Sequence, residues 1–334
     1  MKILFISSLN EKESSLNDYM HDIVLHGLRG IYSNNVIDYP GVWYMYRDEV
    51  KKRNYDINNL WGKGFTLYNL LSNYQQIDRT DIEKKIKTNY FDFIIFGSIH
   101  KSRFFFNEAI NSKSKIIFVD GNDHPFINEQ ITNKGVYFKR ELISDNIKNV
   151  YPINFAIPKE KIIHTINPKP LNVLAPLIPG KKSTYIYKHE KDYYQKYQDS
   201  IFALTYKKIG WDSLRHYEIL MNGCIPLFLD IDKCPEKILT NFPKKILFDI
   251  FKQYSWILNQ FFPTNIYKKK FLTIEKFFLY FQNLFKKKYT GISFIDSYPE
   301  IIKIKEQLIN YTKKRLTTEN VAKNIISDTL KYYM

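Results

Sequence analysis

Continuous apolar runs and helically spaced apolar stripes take turns along the first half of the chain. "KILFISS" (2–8) has no polar alternation, as expected of a parallel strand buried on both faces. In "LNDYMHDIVLHGLRGI", Leu16, Met20, Ile23, Val24 and Leu28 fall at helical spacing, and Gly30 reads as the stop. "NNVIDYP" reads as a second short strand ended by Pro40. "WGKGFTLYNLL" (61–71) reads as an aromatic loop leading into a helix. "RTDIEKKIKT" then predicts a helix and "FDFIIFG" a strand. "NEAINSKSK" and "KIIFVD" repeat that plan, and "GVYFKRELI" offers one more strand. Strands alternating with helices over about 155 residues predict a doubly wound, mostly parallel sheet.

A second α/β pattern begins near "LNVLAPLIPG" (171–180), followed by a polar helix of lysines and tyrosines and the strand "SIFALTY" (200–206). A helix over 213–222 and the strand "CIPLFLDI" come next. "PEKILTNF" reads as a helix started by Pro235, and "PKKILFDI" as a short strand or turn. The last eighty residues read as mostly helical, ending in "TTENVAKNIISDTLKYY" with Thr317 or Thr318 as its cap. The expected fold class is α/β, two Rossmann-like domains facing across a cleft. Residues 1–155 are expected to form the N-terminal domain and 156–310 the C-terminal one. Residues 311–334 form a helix able to pack back on the first. In such sheets ligands sit beyond the carboxyl ends of the strands.

The bulk numbers agree with two domains. The chain has 334 residues, 44% hydrophobic and 16% aromatic, enough for a sizeable core and unlike a disordered sequence. Fifty Lys and Arg against 34 Asp and Glu give a formal charge of +16. That balance suits an anionic partner, whether nucleic acid, phosphate groups or an anionic membrane surface. The lysines are also spread through a sequence rich in Asn, Ile, Tyr and Phe, which compositional drift would equally produce. Two cysteines, Cys224 and Cys234, rule out a disulfide framework and suggest a reducing, cytoplasmic setting. No run reaches the length of a membrane span, so the expectation is a protein that is soluble or peripheral to a membrane.

The candidate chemistry concentrates in "KKIGWDSLRHYEILMNGCIPLF". Asp212 or Ser213 can cap the helix and Gly223 can end it in the left-handed conformation. Leu214, Tyr217, Leu220 and Met221 face the sheet, while Arg215, Glu218 and Asn222 share the other side. Lys207 and Lys208 precede a helix N-terminus, which together make a phosphate seat. Glu218 can accept hydrogen bonds from the vicinal hydroxyls of a ribose. A solvated helix face with an Arg215–Glu218 pair is the plain alternative.

"GWDSLRHYEILMNGCIPLFLDIDKCP" resembles the nucleotide-sugar half of GT-B glycosyltransferases, in the exostosin-like pattern where an R-x-x-E helix precedes a G-C-I-P turn. The resemblance covers about thirty residues. It implies that Glu218 binds the nucleotide's ribose and that Arg215, Lys207 and Lys208 contact the diphosphate or orient the sugar. Gly223, Ile225 and Pro226 would shape the turn beneath the donor. It implies transfer of a sugar from a nucleotide sugar, such as a UDP-sugar, to an acceptor hydroxyl, with no metal and no cofactor beyond the donor. "DID" (230–232) has the spelling of a metal motif but closes a strand behind the helix. The acceptor would be a glycan, a lipid-linked sugar or a nucleic-acid base in DNA. A non-catalytic binder of nucleic acid or anionic surfaces, or a nucleotide-sugar epimerase, would share the same features.

In the first half, "VDGNDHP" places Asp120, Asp123 and His124 at a strand's carboxyl end, where a base for the acceptor hydroxyl would stand, with Asp123 the first choice. An ordinary turn with Asp caps fits as well. "GSIHKSR" sets Gly97, Ser98 and His100 at the neighbouring strand end as possible donor or acceptor contacts, or as a simple helix cap. "IPGKKST", with Gly180, lacks the spacing of a P-loop and reads as a loop near the donor or a surface turn. "WGKGF" suits stacking of a sugar or base.

Overall fold

A computed structural model describes residues 1–8, 18–144, 147–261 and 290–334, with backbone only over 255–261. Six parallel strands form the first sheet: β1 Ile3–Ile6, β2 Val36–Tyr39, β3 Phe93–Phe96, β4 Lys115–Asp120, β5 Val136–Lys139 and β6 Val150–Pro152. Their order is β2-β1-β3-β4-β5-β6. The central β1 pairs Ile3 with both Val36 and Phe93, so every residue of its ILFI run is buried on both faces. That is the physical reason these strands carry no polar alternation. A second parallel sheet follows, β7 Asn172–Leu174, β8 Ser200–Thr205 and β9 Ile225–Phe228, in the order β7-β8-β9. The chain is therefore α/β with two parallel sheets, and one contiguous apolar cluster runs through both.

Helix α1 (Tyr19–Tyr32) starts at Asp18, whose carboxylate accepts the Met20 and His21 N–H groups. It runs two residues past the expected stop at Gly30 before Ser33 ends it. Leu16, which the apolar spacing includes, lies outside the described residues. Short helices α2 (Arg47–Lys52), α3 (Ile82–Lys87), α4 (Phe106–Ile110) and α5 (Glu129–Thr132) link the strands of the first sheet. Helices α6 (Glu190–Gln198), α7 (Leu214–Met221) and α8 (Lys244–Phe261) belong to the second. The chain closes with α9 (Gly291–Ser297), α10 (Glu300–Arg315) and α11 (Thr318–Tyr333). Residues 262–289, part of the stretch expected to be helical, lie outside the described residues.

Helix α11 is capped by the Thr317 hydroxyl, which accepts the Asn320 N–H, and it lies against α1. The two come so close that a Cβ at Gly27 would stand 2.0 Å from the Thr318 carbonyl oxygen, so only glycine fits there. The His26 ring nitrogen and the Thr318 hydroxyl meet at 2.8 Å across this contact. Tyr333 reaches on to accept the Ile116 N–H of β4.

Three local expectations change. "PKKILFDI" is neither strand nor turn but the start of α8, because Leu247, Ile250 and Tyr254 recur at helical spacing and are all buried. "PEKILTNF" forms turns instead of a helix. Leu239 takes a left-handed φ of +54°, and the Lys244 ammonium gathers the carbonyls of Pro235, Glu236 and Ile238. The loop at 61–71 forms, yet only a single 3-10 turn, Tyr74–Gln76, follows it: Thr66 and Asn69 have positive φ, and Leu71 bridges to Tyr46.

Candidate functional site

Helix α7 carries the densest polar chemistry of the second sheet. Leu214, Tyr217, Leu220 and Met221 are buried, which fixes the helix against the apolar core. Gly223 ends it at φ +65°, and a Cβ there would press within 2.8 Å of Ile163. At the other end Ser213 occupies the cap position without making a side-chain cap bond. Asp212 does not cap either: its carboxylate accepts the Phe155 N–H at 2.7 Å and the Tyr217 hydroxyl at 2.9 Å. Burial pushes that carboxyl up to about 7 despite the opposing Arg140 charge. The first turn of α7 thus has no side chain over its N–H groups, and Ser213 and Leu214 line a cavity of about 700 Å³.

Arg215 and Glu218 line the same cavity. Their helix face is not solvated, because α6 and the 61–66 loop cover it. Glu218 is buried and accepts the Thr66 hydroxyl at 2.6 Å and the Tyr193 hydroxyl at 2.8 Å. Its carboxyl is raised above the usual range by burial. Asn222 is also buried, donating to the Glu218 carbonyl and accepting from Gln198. Among the described residues no salt bridge engages Arg215, and its buried Nε has no hydrogen-bond partner. The guanidinium stands 5.1 Å from the centre of the Tyr185 ring. Lys208 is at the mouth of the cavity, where partial desolvation and the Arg215 charge bring its ammonium down to about 8. An uncapped helix end, a guanidinium and an ammonium therefore converge on one space. Buried charges are ordinarily paired, and this convergence offers a seat for an anion.

The first sheet supplies the opposite wall. Tyr19, the 61–65 loop, Asp123, Arg140 and Phe155 line it. Arg140, at the end of β5, is fully buried and binds Asp123, the Gly121 carbonyl and the Asp212 carbonyl while lying over the Phe155 ring. Glu141 accepts the N–H groups of Trp211 and Asp212 at 3.0 and 2.9 Å. These two side chains fasten the loop before α7 to the carboxyl edge of the first sheet. The approach is close: a Cβ at Gly210 would meet Glu141 Oε1 at 2.6 Å. His216 is structural. Its Nε2 donates to the Trp211 carbonyl, so Nδ1 accepts the Thr205 hydroxyl, and burial holds the ring neutral, at about 3.

Of the residues singled out from sequence, Asp123, Lys208, Asp212, Ser213, Leu214, Arg215 and Glu218 line the cavity, as do Trp61, Gly62, Lys63 and Phe65 of the WGKGF loop, and the other named residues do not. Lys207 is exposed, its ammonium 5.1 Å from the Trp211 ring. Asp120 is buried beneath the Tyr137 hydroxyl and the Lys139 ammonium, with His100 Nδ1 3.6 Å away. Ser98 donates to Asp18 and caps no helix, and Gly97 packs against Phe5 and His21. His124 is exposed beside Phe126. Gly180 sits in a turn beneath the Tyr206 hydroxyl, while Ile225 and Pro226 are buried in β9. Asp230 accepts the Lys207 N–H, and among the described residues no three His, Cys, Asp or Glu side chains gather as a metal site. Cys224 and Cys234 are free thiols. Sequence reasoning passed over Thr66, Arg140, Glu141 and Tyr193. Only the charged "KRE" closing an apolar strand hinted that buried partners were waiting.

Compared with known proteins, the chain matches no family model and no curated sequence.

The wall around Glu218 is testable without a ligand. Thr66→Val leaves one Glu218 oxygen without its donor and removes the hydroxyl beside Tyr194. The expected cost is about 1–3 kcal/mol, the usual range for a buried polar group left unpaired, read as a lower urea midpoint at unchanged slope.

Proposed function

We propose that the protein is a metal-independent glycosyltransferase of GT-B-like design, moving a sugar from a nucleotide sugar to an acceptor hydroxyl. The observation that carries this reading is the Arg215 guanidinium, whose buried Nε has no hydrogen-bond partner, set beside Lys208 and the uncapped first turn of α7 in a cavity of about 700 Å³. That volume is within the range of small-molecule sites. A diphosphate placed there meets three sources of positive potential, which is what a departing nucleoside diphosphate requires. Glu218 already accepts two hydroxyls, and the lone pairs left on its carboxylate would take a ribose hydroxyl. The aromatic walls, Tyr185 and Phe155 among them, offer faces for the base or the sugar.

Across the cavity Asp123 is the candidate base. Arg140 binds and orients it, and it is half-exposed where an acceptor would enter. It would take the acceptor's proton as the new bond to the anomeric carbon forms and the bond to the diphosphate oxygen breaks. The acceptor is a sugar hydroxyl, on a glycan or a lipid-linked saccharide. Incubation with a panel of nucleotide sugars tests the reading. One donor should release its nucleoside diphosphate slowly, even without acceptor, and Arg215→Gln should abolish the release. No release from any donor by the intact protein would overturn it.

Affinity for the donor should also depend on pH. In the free protein Lys208 loses its proton near 8. A bound diphosphate favours the charged form, so above that pH complexation takes up a proton and affinity falls as pH rises. Calorimetry in two buffers of different ionisation enthalpy should register proton uptake above pH 8, absent in Lys208→Gln.

A further inference from the structure

Three large apolar side chains are exposed around the mouth of the same cavity. Trp61, Ile186 and Ile209 are 68%, 70% and 72% exposed. Trp61 and Ile209 line the cavity, and Ile186 sits between Tyr185 and Tyr187, which line it too. They come from distant parts of the chain, yet the structure ties two of them together: the Lys63 ammonium, two residues from Trp61, donates to the carbonyls of both Tyr185 and Tyr187. Gly62 and Lys63 take positive φ to bring that loop over. Scattered single apolar residues on a surface are ordinary, but a group at one rim marks an interaction surface.

Charge selects the occupant. Lys182 and Lys188 flank Ile186 and are exposed, and Lys207 and Lys208 precede Ile209. Apolar tips including a tryptophan, set among lysines on a chain of charge +16, match the boundary of an anionic bilayer. The tips enter the acyl edge while the ammonium groups stay among the headgroups. A nucleic acid would use the lysines but leave both isoleucines facing water. Among the described residues no helix is long and apolar enough to cross a membrane, so this contact would be peripheral.

We propose that the cavity rim formed by Trp61, Ile186 and Ile209 docks on an anionic membrane surface, with the cavity opening toward the lipid. Membrane docking does not depend on the glycosyltransferase reading, since it needs neither donor nor chemistry. If both hold, the acceptor hydroxyl belongs to a lipid-borne saccharide.

The test is co-sedimentation of the full chain with vesicles of phosphatidylcholine alone and of phosphatidylcholine mixed with phosphatidylglycerol, at low and high salt. The protein should bind the mixed vesicles, bind the neutral ones poorly, and release at high salt. Trp61→Ser/Ile186→Ser/Ile209→Ser should lower partitioning by about tenfold or more, given the free energy carried by each buried methylene. Lys182→Gln/Lys188→Gln should weaken it several-fold, about the effect of two surface lysines. All five side chains are exposed, so an unchanged melting curve will confirm that each variant folds. Failure of the intact protein to bind anionic vesicles would overturn the proposal. So would binding indifferent to the apolar triple change, which would mean adhesion by charge alone, as duplex DNA would also show. A concentration-dependent dimer abolished by the triple change would assign the rim to a second copy of the chain instead.

Discussion

Replacing Asp123 with asparagine should lower turnover by about a hundredfold to ten-thousandfold, the span usually attributed to a positioned general base, while donor affinity stays as it was. The separation follows from where the carboxylate stands. Asp123 faces the cavity from the first sheet, across from the α7 wall that would hold the diphosphate, so it has no part in gripping the donor. Asparagine keeps the size of the side chain and can still accept from Arg140, but it cannot take a proton. Asp212, a second carboxyl lining the cavity from the loop before α7, cannot substitute for it: both its oxygens already accept hydrogen bonds from Phe155 and Tyr217, and it is 3% exposed. A parallel fall in donor affinity would mean that Asp123 supports the wall instead of the reaction. Unchanged turnover would remove it from the chemistry altogether.

The second large effect concerns binding. Arg215→Gln should weaken donor affinity by about 10- to 150-fold, which corresponds to the ~1.5–3 kcal/mol of a hydrogen bond to a charged group. Two features put the expectation toward the upper end. The guanidinium is confined in a wall of tyrosines, where lowered dielectric strengthens its attraction for an anion. Among the described residues it also forms no salt bridge within 4.0 Å, so only the longer-range pull of Glu218 competes with the anion. Because no salt bridge within 4.0 Å is broken, removing the charge should cost the free protein little, and the variant's melting temperature should hold. Arg215→Lys would separate charge from shape: the ammonium keeps the attraction but not the two-pronged geometry that suits a phosphate.

Much of the scaffold could be read from local pattern. The runs "KILFISS", "FDFIIFG" and "KIIFVD" lack alternation because their strands are buried on both faces, and with helices between them they indicated a parallel sheet. Thr317 was readable as a cap from its place before an amphipathic stretch. Failures came where two periods compete over few residues. "PKKILFDI" alternates poorly as a strand, and its helical register shows only when Tyr254 is included. "PEKILTNF" has every local mark of a helix, and only the Lys244 ammonium, nine residues on from Pro235, holds it in turns.

For the site, spacing could put Arg215, Glu218 and Asn222 on one side of α7, since that is a property of the helix itself. What covers that side is not local. Thr66 comes from a loop 152 residues away and Tyr193 from the preceding helix. Arg140 and Glu141 reach the loop before α7 from β5, across 72 and 70 residues. Single-sequence reasoning has no access to such pairings. It could register only that a strand ending in Lys–Arg–Glu would have to find partners for charges it could not leave buried alone.

The central claim is that α7 and its flanking cations seat a diphosphate. Thermal unfolding of the protein with and without nucleoside diphosphates tests it most directly, on the intact chain and on Arg215→Gln. A true ligand at 100 times its dissociation constant should stabilise the intact protein by about 2.7 kcal/mol, and the same concentration should give the variant about 0.3–1.4 kcal/mol. Equal stabilisation of both, or none of either by any nucleoside diphosphate, would contradict the account.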